Sequence, residues 1–279
     1  MKKAVIITNS IKDTDYAVTR RVAERLLSNG ILPLVAVGAS DMPSGVSTYK
    51  ELPTDADFLI VVGGDGSVID ASPHAVECGI PLLAVNLGKV GYLAAVEPDE
   101  LELLDRLGTG EYDIDERMLL TVSKDGEEYP ALAVNDVVIS HESYLGISRI
   151  RVSDGHGNTI GYRADGVILA TPQGSTAYSL SSGGPIVAHG VESILLTPVC
   201  PHSFFNRSVI FDAGEQLTVT NHGTNRLNIS IDGRHCDSLI TGESCTVRAA
   251  GKRLKTVSFS ENSMFRNLFK KMRILEDID

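Results

Sequence analysis

Short apolar runs alternate with amphipathic stretches along the first hundred residues. Ala4–Thr8 is β-rich, and Tyr16–Asn29 then sets Ala17, Val18, Val22, Leu26 and a neighbouring Leu27 on one helical stripe that Gly30 closes. Ile31–Val37 predicts a second strand. Phe58–Val62 (FLIVV) is apolar throughout and runs into a glycine pair; a helical segment, Val68–Cys78, separates it from Leu82–Asn86, which repeats the pattern. Continuous apolar strands parted by helices predict a parallel sheet covered on both faces, a Rossmann-like α/β arrangement. Asp99 and Glu102 have the spacing of a capping box for a short helix through Leu107, with Gly108 and Gly110 to end it.

Beyond Gly110 the pattern changes to short β-branched segments separated by the pairs Asp125-Gly126, Asp154-Gly155, Asp165-Gly166, His222-Gly223 and Asp232-Gly233. Leu217–Thr220 and Leu227–Ile231 alternate with period two, and Ser244–Arg248 and Thr256–Phe259 read as two further strands. Many short strands with frequent turns predict an antiparallel, sandwich-like domain. Ser263–Leu275 returns to helical spacing, with Phe265, Leu268, Phe269 and Met272 on one face and a basic run opposite. The predicted organisation is an α/β domain over 1–108, a β-rich domain over 109–260 and a terminal helix over 261–279.

Composition narrows the function classes. Hydrophobic residues at 43% and charged residues at 22% of 279 describe a globular chain, not a disordered or coiled-coil one. The apolar part of the opening MKKAVIITNS is only Ala4–Ile7, so it reads as a strand and not a secretion signal. No run approaches a membrane span. Cys78, Cys200, Cys236 and Cys245 are scattered without a C-x-x-C pair, as expected of reduced thiols in a cytoplasmic protein. A net charge of −11 argues against a general nucleic-acid binder. It leaves room for a phosphate-bearing small molecule held by backbone N–H groups and a few local cations. Seven histidines show no H-x-x-x-H spacing and only His235-Cys236 are adjacent, so no metal site is expected.

Two segments carry chemistry. Gly63-Gly64-Asp65-Gly66-Ser67 follows FLIVV and precedes the helical segment, an arrangement that aims backbone N–H groups at an anion. It matches neither G-x-G-x-x-G nor G-x-x-x-x-G-K-[ST]. A carboxylate in such a loop repels phosphate unless it takes a proton from an attacking hydroxyl or meets phosphate through a divalent metal. An ordinary turn aspartate is the plain alternative for Asp65. The second segment, ADGVILATPQGSTAYSLSSGGP from Ala164 to Pro185, gathers hydroxyls and glycines after a buried strand. That suits a polar planar ligand such as a nucleotide, against the alternative of a Ser/Gly-rich surface loop.

Together and in this order, these segments resemble the NAD kinase family. GGDGS at Gly63–Ser67, NLGKVGYLA at Asn86–Ala94, Asn135-Asp136, DGVILATPQGSTAYSLSSGGP at Asp165–Pro185, PHSFFNRSVI at Pro201–Ile210 and Ile231-Asp232-Gly233 are each similar to a family element. GGDG is shared with diacylglycerol kinases and phosphofructokinases; the Asp165–Pro185 motif is the specific one. The resemblance implies phosphorylation of the adenosine-ribose 2′-hydroxyl of NAD by ATP or polyphosphate, giving NADP. It also implies a homodimer or homotetramer, Mg²⁺ arriving with the phosphoryl donor, and an NAD site between the domains near a subunit interface. The C-terminal segment would pack back on the first domain. A non-catalytic NAD(P)-binding sensor is the main rival; a GGDG-type lipid kinase is a weaker one, since a lipid needs an apolar entrance.

Carried onto this sequence, the resemblance makes Asp65 the general base and has Gly63, Gly64 and Gly66 present N–H groups to phosphates. Asn86, Lys89 and Tyr92 fall in the nucleotide-binding element. Asn135 and Asp136 would hydrogen-bond the adenosine part of NAD, and Thr176, Ala177, Tyr178 and Ser181 would line the adenine and ribose pockets. Arg163 and Asp165 would reach the nicotinamide side, and Asp232 would lie near the active site. His202 reads as an oriented structural histidine. Departures from the family pattern are Asp136 for the usual glutamate, Gln173 for a small hydroxyl residue and Tyr92 for phenylalanine.

Overall fold

In the computed structural model, residues 1–88, 91–142, 147–202 and 205–259 are described. They fall into two compact units: Met1–Glu116 with the chain from Leu254 onward, and Arg117–Arg253.

The first unit is built from β1 (Lys2–Thr8), α1 (Ala17–Ser28), β2 (Ile31–Ala36), β3 (Ser47–Tyr49), β4 (Phe58–Gly63), α2 (Asp65–Cys78) and β5 (Leu82–Asn86). A 3₁₀ turn (Leu101–Leu104) leads directly into α3 (Asp105–Thr109). The strands are parallel in the order β3-β2-β1-β4-β5, and the returning chain lays Thr256 beside Leu82. Strand order reverses between β1 and β4, where Thr8 pairs with Val62. The loops that follow these two strands therefore leave the sheet side by side, at the position where doubly wound sheets take ligands. Every residue of β4 and β5 is buried, as their unbroken apolar runs require. Val22, Ala23 and Leu26 of α1 join Ile6, Ile60, Leu83 and Phe259 in one core.

The predicted capping box at Asp99 does not form. The 3₁₀ turn starts after Glu100 with no side-chain cap, and Gly108 lies inside α3 while Gly110, at φ 84°, ends it. A Cβ on Gly108 would press on Asn29 at 3.0 Å, so this glycine serves close packing against the end of α1 and not termination.

The chain enters the second unit through β6 (Asp113–Lys124), followed by β7 (Glu127–Glu128), β8 (Asp136–His141), β9 (Ser148–Ser153), β10 (Thr159–Ala164) and β11 (Gly166–Ala170). A 3₁₀ turn (Gly174–Thr176) and α4 (Tyr178–Ser181) precede β12 (Ser193–Val199), β13 (Val209–Asp212), β14 (Gln216–Asn221), β15 (Leu227–Ile231), β16 (Arg234–Leu239) and β17 (Ser244–Ser258). One layer runs β10-β9-β14-β17, with β6 paired to β17, and the other runs β13-β12-β11-β8-β15-β16; the pairings along both runs are antiparallel. Val122, Val152, Val219 and Val247 from the first meet Ile139, Leu169, Leu196 and Ile229 from the second. This is the sandwich the turn-rich sequence predicts.

Two expectations are corrected here. Ser244–Arg248 and Thr256–Phe259 belong to one strand, since β17 runs unbroken through the polar stretch Gly251–Arg253. Asp165-Gly166 is a joint, not a hairpin turn: β10 lies in one layer and β11 in the other. A Cβ on Gly166 would come 2.6 Å from the Ile139 carbonyl oxygen, so the glycine is needed for close approach of the strands. β11 is buried on both faces because Val167 and Leu169 enter the sandwich core while Ile168 and Ala170 pack with Val187 and Leu195 on the other side.

Among the described residues no helix is long and apolar enough to cross a membrane. The four cysteines are free. The predicted terminal helix, 261–279, and Lys89 lie outside the described residues.

Candidate active site

In the first unit the carboxylate of Asp65, at the first turn of α2, accepts two backbone hydrogen bonds. Leu93 N donates to Oδ1 at 2.9 Å and Tyr92 N to Oδ2 at 3.1 Å. The GGDG aspartate is thus fixed by the element that resembles the family's second motif. Burial pushes the Tyr92 phenol above its usual pKa, and the Asp65 charge adds to the rise.

Asn86 is buried and fully engaged. Its Nδ2 donates to Glu97 Oε2 at 3.0 Å and its Oδ1 accepts from Gly88 N at 2.8 Å. It shapes the turn that returns Tyr92 and Leu93 to Asp65, and its polar atoms are spent within the protein. Gly91 completes that turn at φ 60°, and a Cβ there would lie 2.5 Å from the Asn86 amide carbon. On Gly63 a Cβ would meet Ser67 Oγ at 2.6 Å, and on Gly64 it would meet Lys12 Nζ at 2.5 Å; Gly66 faces open space.

Sequence reasoning missed the loop after β1. Asn9 Nδ2 donates to Ser67 Oγ at 2.9 Å, while its Oδ1 accepts from Ile11 N and Lys12 N. Asp13, 3% exposed, accepts from Val18 N, Thr19 N and Thr19 Oγ1, and so caps α1 from outside the helix. The available signal was an Asn and an Asp placed just after the first strand and before a helix, which is cap and Asx-turn chemistry.

In the second unit Asp232 holds the Asn135-Asp136 segment. Val134 N donates to its Oδ2 at 2.7 Å, and Asn135 N and Asp136 N donate to Oδ1 at 2.8 and 3.0 Å. Asp232 sits at φ 47° and Gly233 at φ 77°, the paired left-handed conformation of a two-residue hairpin turn between β15 and β16. Its carboxylate is a backbone clamp. Asp136 is 5% exposed, and burial with the nearby Asp232 charge lifts its pKa to about 7. Burial also raises Asp232, against the pull of its three N–H donors.

The hydroxyls of the Asp165–Pro185 motif are largely turned inward, contrary to the expectation that they are offered to a ligand. Thr171 Oγ1 donates to Val134 O and accepts from Gly174 N; Ser175 Oγ donates to Pro172 O and accepts from Val187 N. Thr176 Oγ1 donates to Gln173 O, and Ser179 Oγ pairs with Thr197 Oγ1. A Cβ on Gly174 would overlap the Asn135 carbonyl, so this turn packs directly on the Asn135 backbone. What remains outward is Tyr178, 46% exposed, with Ser181 exposed and Ala177 half-buried.

Burial raises the Tyr178 phenol, with the charges of Cys200, Asp165 and Asp136 contributing, so these groups share one neighbourhood. Asp165 lies 3.5 Å from His141 Nε2, and Arg163, an exposed residue of β10, accepts His202 N on its carbonyl at 2.7 Å. The second unit thus brings together Asn135, Asp136, Asp165, Tyr178 and Asp232, while the first gathers Gly63–Ser67, Asn86 and Tyr92. Among the described residues no group of three His, Cys, Asp or Glu side chains could hold a metal ion.

Both units of the chain resemble known proteins. Residues 4–112 match the family model "ATP-NAD kinase N-terminal domain" and residues 134–259 match "ATP-NAD kinase C-terminal domain". The chain is 40% identical over 245 residues to an NAD kinase of Caldanaerobacter subterraneus subsp. tengcongensis, covering 84% of this chain and 86% of that protein. It is 33% identical over 279 residues to an NAD kinase of Lachnoclostridium phytofermentans, covering 96% and 98%. Among solved structures, yeast NADH kinase complexed with NADH superposes with a TM-score of 0.85 at 22% identity, covering 100% of this chain and 89% of that one. An NAD kinase from Archaeoglobus fulgidus in complex with ATP gives 0.75 at 24% identity, covering 98% and 99%. At these identities the structural likeness is one of fold.

Proposed function

The chain belongs to the NAD kinase family, and on that premise we propose that it phosphorylates the adenosine-ribose 2′-hydroxyl of NAD, with Asp65 as general base. The observation that carries this reading is the Asp65 carboxylate, held on both oxygens by Tyr92 N and Leu93 N inside a glycine loop. A carboxylate fixed among phosphate-facing N–H groups has a use when a hydroxyl proton must be removed beside a phosphate.

In the proposed reaction Asp65 takes the 2′-hydroxyl proton as that oxygen bonds to the terminal phosphorus of the donor. The bond from that phosphorus to the bridging oxygen breaks, and the shortened donor leaves with the electron pair. Phosphoryl transfer has a loose transition state, so positioning and charge neutralisation matter more than basicity. The donor is ATP or polyphosphate and carries a divalent metal, Mg²⁺, on its own phosphate oxygens, which suit that ion. Asn135 and Asp136, set by Asp232, are assigned to the adenosine half of NAD, with Thr176, Ala177, Tyr178 and Ser181 lining the adenine and ribose pockets. Arg163 and Asp165 are assigned to its nicotinamide side. Gly63, Gly64 and Gly66 are assigned to the donor phosphates, and Asn86 to shaping the loop that bears Tyr92. Lys89, in the segment that resembles the family's nucleotide-binding element, is assigned either to a ligand phosphate or to solvent.

Four free cysteines suit a reducing compartment, so the reaction is assigned to the cytoplasm. Homo-oligomerisation belongs to the same reading and is checked by light scattering. The deciding experiment is NADP formation from NAD with Mg-ATP or Mg-polyphosphate, in wild type and Asp65→Asn. Turnover in the first and its near loss in the second support the reading; no NADP from either donor in wild type overturns it.

A further inference from the structure

The loop after β1 carries a cation that the glycine turn leaves room for. Lys12 Nζ lies against two glycines from different segments: a methyl on Gly64 would come within 2.5 Å of it, and one on Gly88 within 3.6 Å. A Cβ on Gly88 would also lie 3.5 Å from Gly64 Cα, so the two glycines and the ammonium group form one close contact. Any side chain at Gly64 would displace Lys12.

Lys12 is brought there by a built loop. Asn9 N donates to Val62 O at 2.9 Å, which ties the loop to the end of β4. Asn9 Nδ2 ties it again to Ser67, and Lys12 N and Asp13 N both donate to Asn9 O at 3.0 Å. The buried Asp13 anchors the far side to the start of α1. Five groups thus fix the backbone on either side of Lys12, while its own ammonium group has no hydrogen-bond or ion-pair partner among the described residues. Its side chain is exposed.

From this geometry we infer that Lys12 binds the phosphate chain of the phosphoryl donor at the Gly63–Ser67 loop, a role no sequence motif gave it. The inference rests on the function proposed above. An ammonium group held over bare glycine backbone can meet phosphate oxygens as a point charge, beside whatever N–H groups the loop presents. It would also offset the charge of Asp65, which the donor must approach. The chemistry recognised is a chain of linked phosphates, whether it belongs to a nucleoside triphosphate or to inorganic polyphosphate.

The test uses the full chain with Lys12→Met, Lys12→Gln and Lys12→Arg. Binding of Mg-ATP and of magnesium tripolyphosphate is measured by calorimetry, NAD binding and melting temperature serve as structural controls, and NADP formation is followed in parallel. Lys12→Met and Lys12→Gln are expected to weaken whichever of the two phosphate ligands wild type binds by about tenfold or more. NAD binding should stay within about twofold, and Lys12→Arg should recover most of the loss, since it keeps the charge. Unchanged phosphate binding in both neutral variants overturns the inference. So does an equal loss of NAD affinity, which would mark Lys12 as a structural prop, or a wild type that binds neither ligand. NADP formation separates the two claims: if it occurs and the Lys12 variants are unaffected, only the Lys12 role fails. If phosphate binding depends on Lys12 but no NADP forms, only the proposed reaction fails.

Discussion

Leu93 N donates to Asp65 Oδ1 across 28 residues of sequence at 2.9 Å, and Tyr92 N occupies the other carboxylate oxygen. An asparagine at position 65 has one acceptor oxygen and must turn an NH₂ group toward one of these donors. Asp65→Asn should therefore lower kcat by about 10²–10⁴-fold and also cost about 1–3 kcal/mol of stability. Steady-state kinetics and thermal unfolding on the same preparation check both, with NAD affinity expected within a few-fold of wild type.

Gly91 is constrained twice, by its φ of 60° and by the Asn86 side chain that a Cβ would strike. Gly91→Ala should lose about 1–3 kcal/mol from backbone strain alone. It should also push Asn86 from Glu97, loosening the turn that delivers Tyr92 and Leu93. Lower melting temperature together with reduced kcat is the expected pair of results; a variant matching wild type in both would refute this account of the turn.

Asp232 carries three backbone donors on one carboxylate. Asp232→Ala strands them, and each buried N–H left unpaired costs about 1–3 kcal/mol. The Asn135-Asp136 segment would lose its clamp, so the Kd for NAD should rise by about tenfold or more in any protein that still folds. Asp232→Asn should be milder, because asparagine tolerates the left-handed backbone. Calorimetric titration with NAD distinguishes the two variants.

How much of this was legible in the sequence depends on where each constraint lies. FLIVV and LLAVN gave the parallel strands because both their faces are buried, and the alternation in Leu227–Ile231 gave β15 because only one face is. GVILA hid its setting: a continuous apolar run in an antiparallel layer requires a second cover, supplied by Val187 from 17 residues past the strand. The GGDG aspartate could be found, whereas its two N–H partners are backbone groups that any residue type would supply. Lys12 and Asn9 carried no motif, and only the pairing of β1 with β4 brings them to the glycine turn. The hydroxyls of the Asp165–Pro185 segment were legible as a cluster, but composition alone did not show that Thr171, Ser175, Thr176 and Ser179 first satisfy the buried turn itself.

Asp136 gives a pH dependence. Its pKa is about 7 in the folded protein, raised by burial and by Asp232, against about 4 for an unfolded aspartate. The folded state therefore holds a proton that the unfolded state has released between these values, and stability falls as pH rises through that window. The slope is at most about 1.4 kcal/mol per pH unit, and above about pH 7 the loss is complete. Asp136→Asn should remove this component. The melting temperature of the variant relative to wild type should then climb from pH 5 to pH 8, and a constant difference would contradict the assigned proton.

The first unit is discontinuous, since its core includes Val257 and Phe259 from the far end of β17. Translation delivers these residues last among the described ones, after all of Arg117–Arg253 has emerged. The inserted unit can then complete its core during synthesis, while Met1–Glu116 waits as an intermediate with one flank of its sheet open. A chain released after Arg253 should show a protease-resistant second unit and a protease-sensitive first one. The carboxylate proposed as the base would be among the last parts of the protein to reach working order.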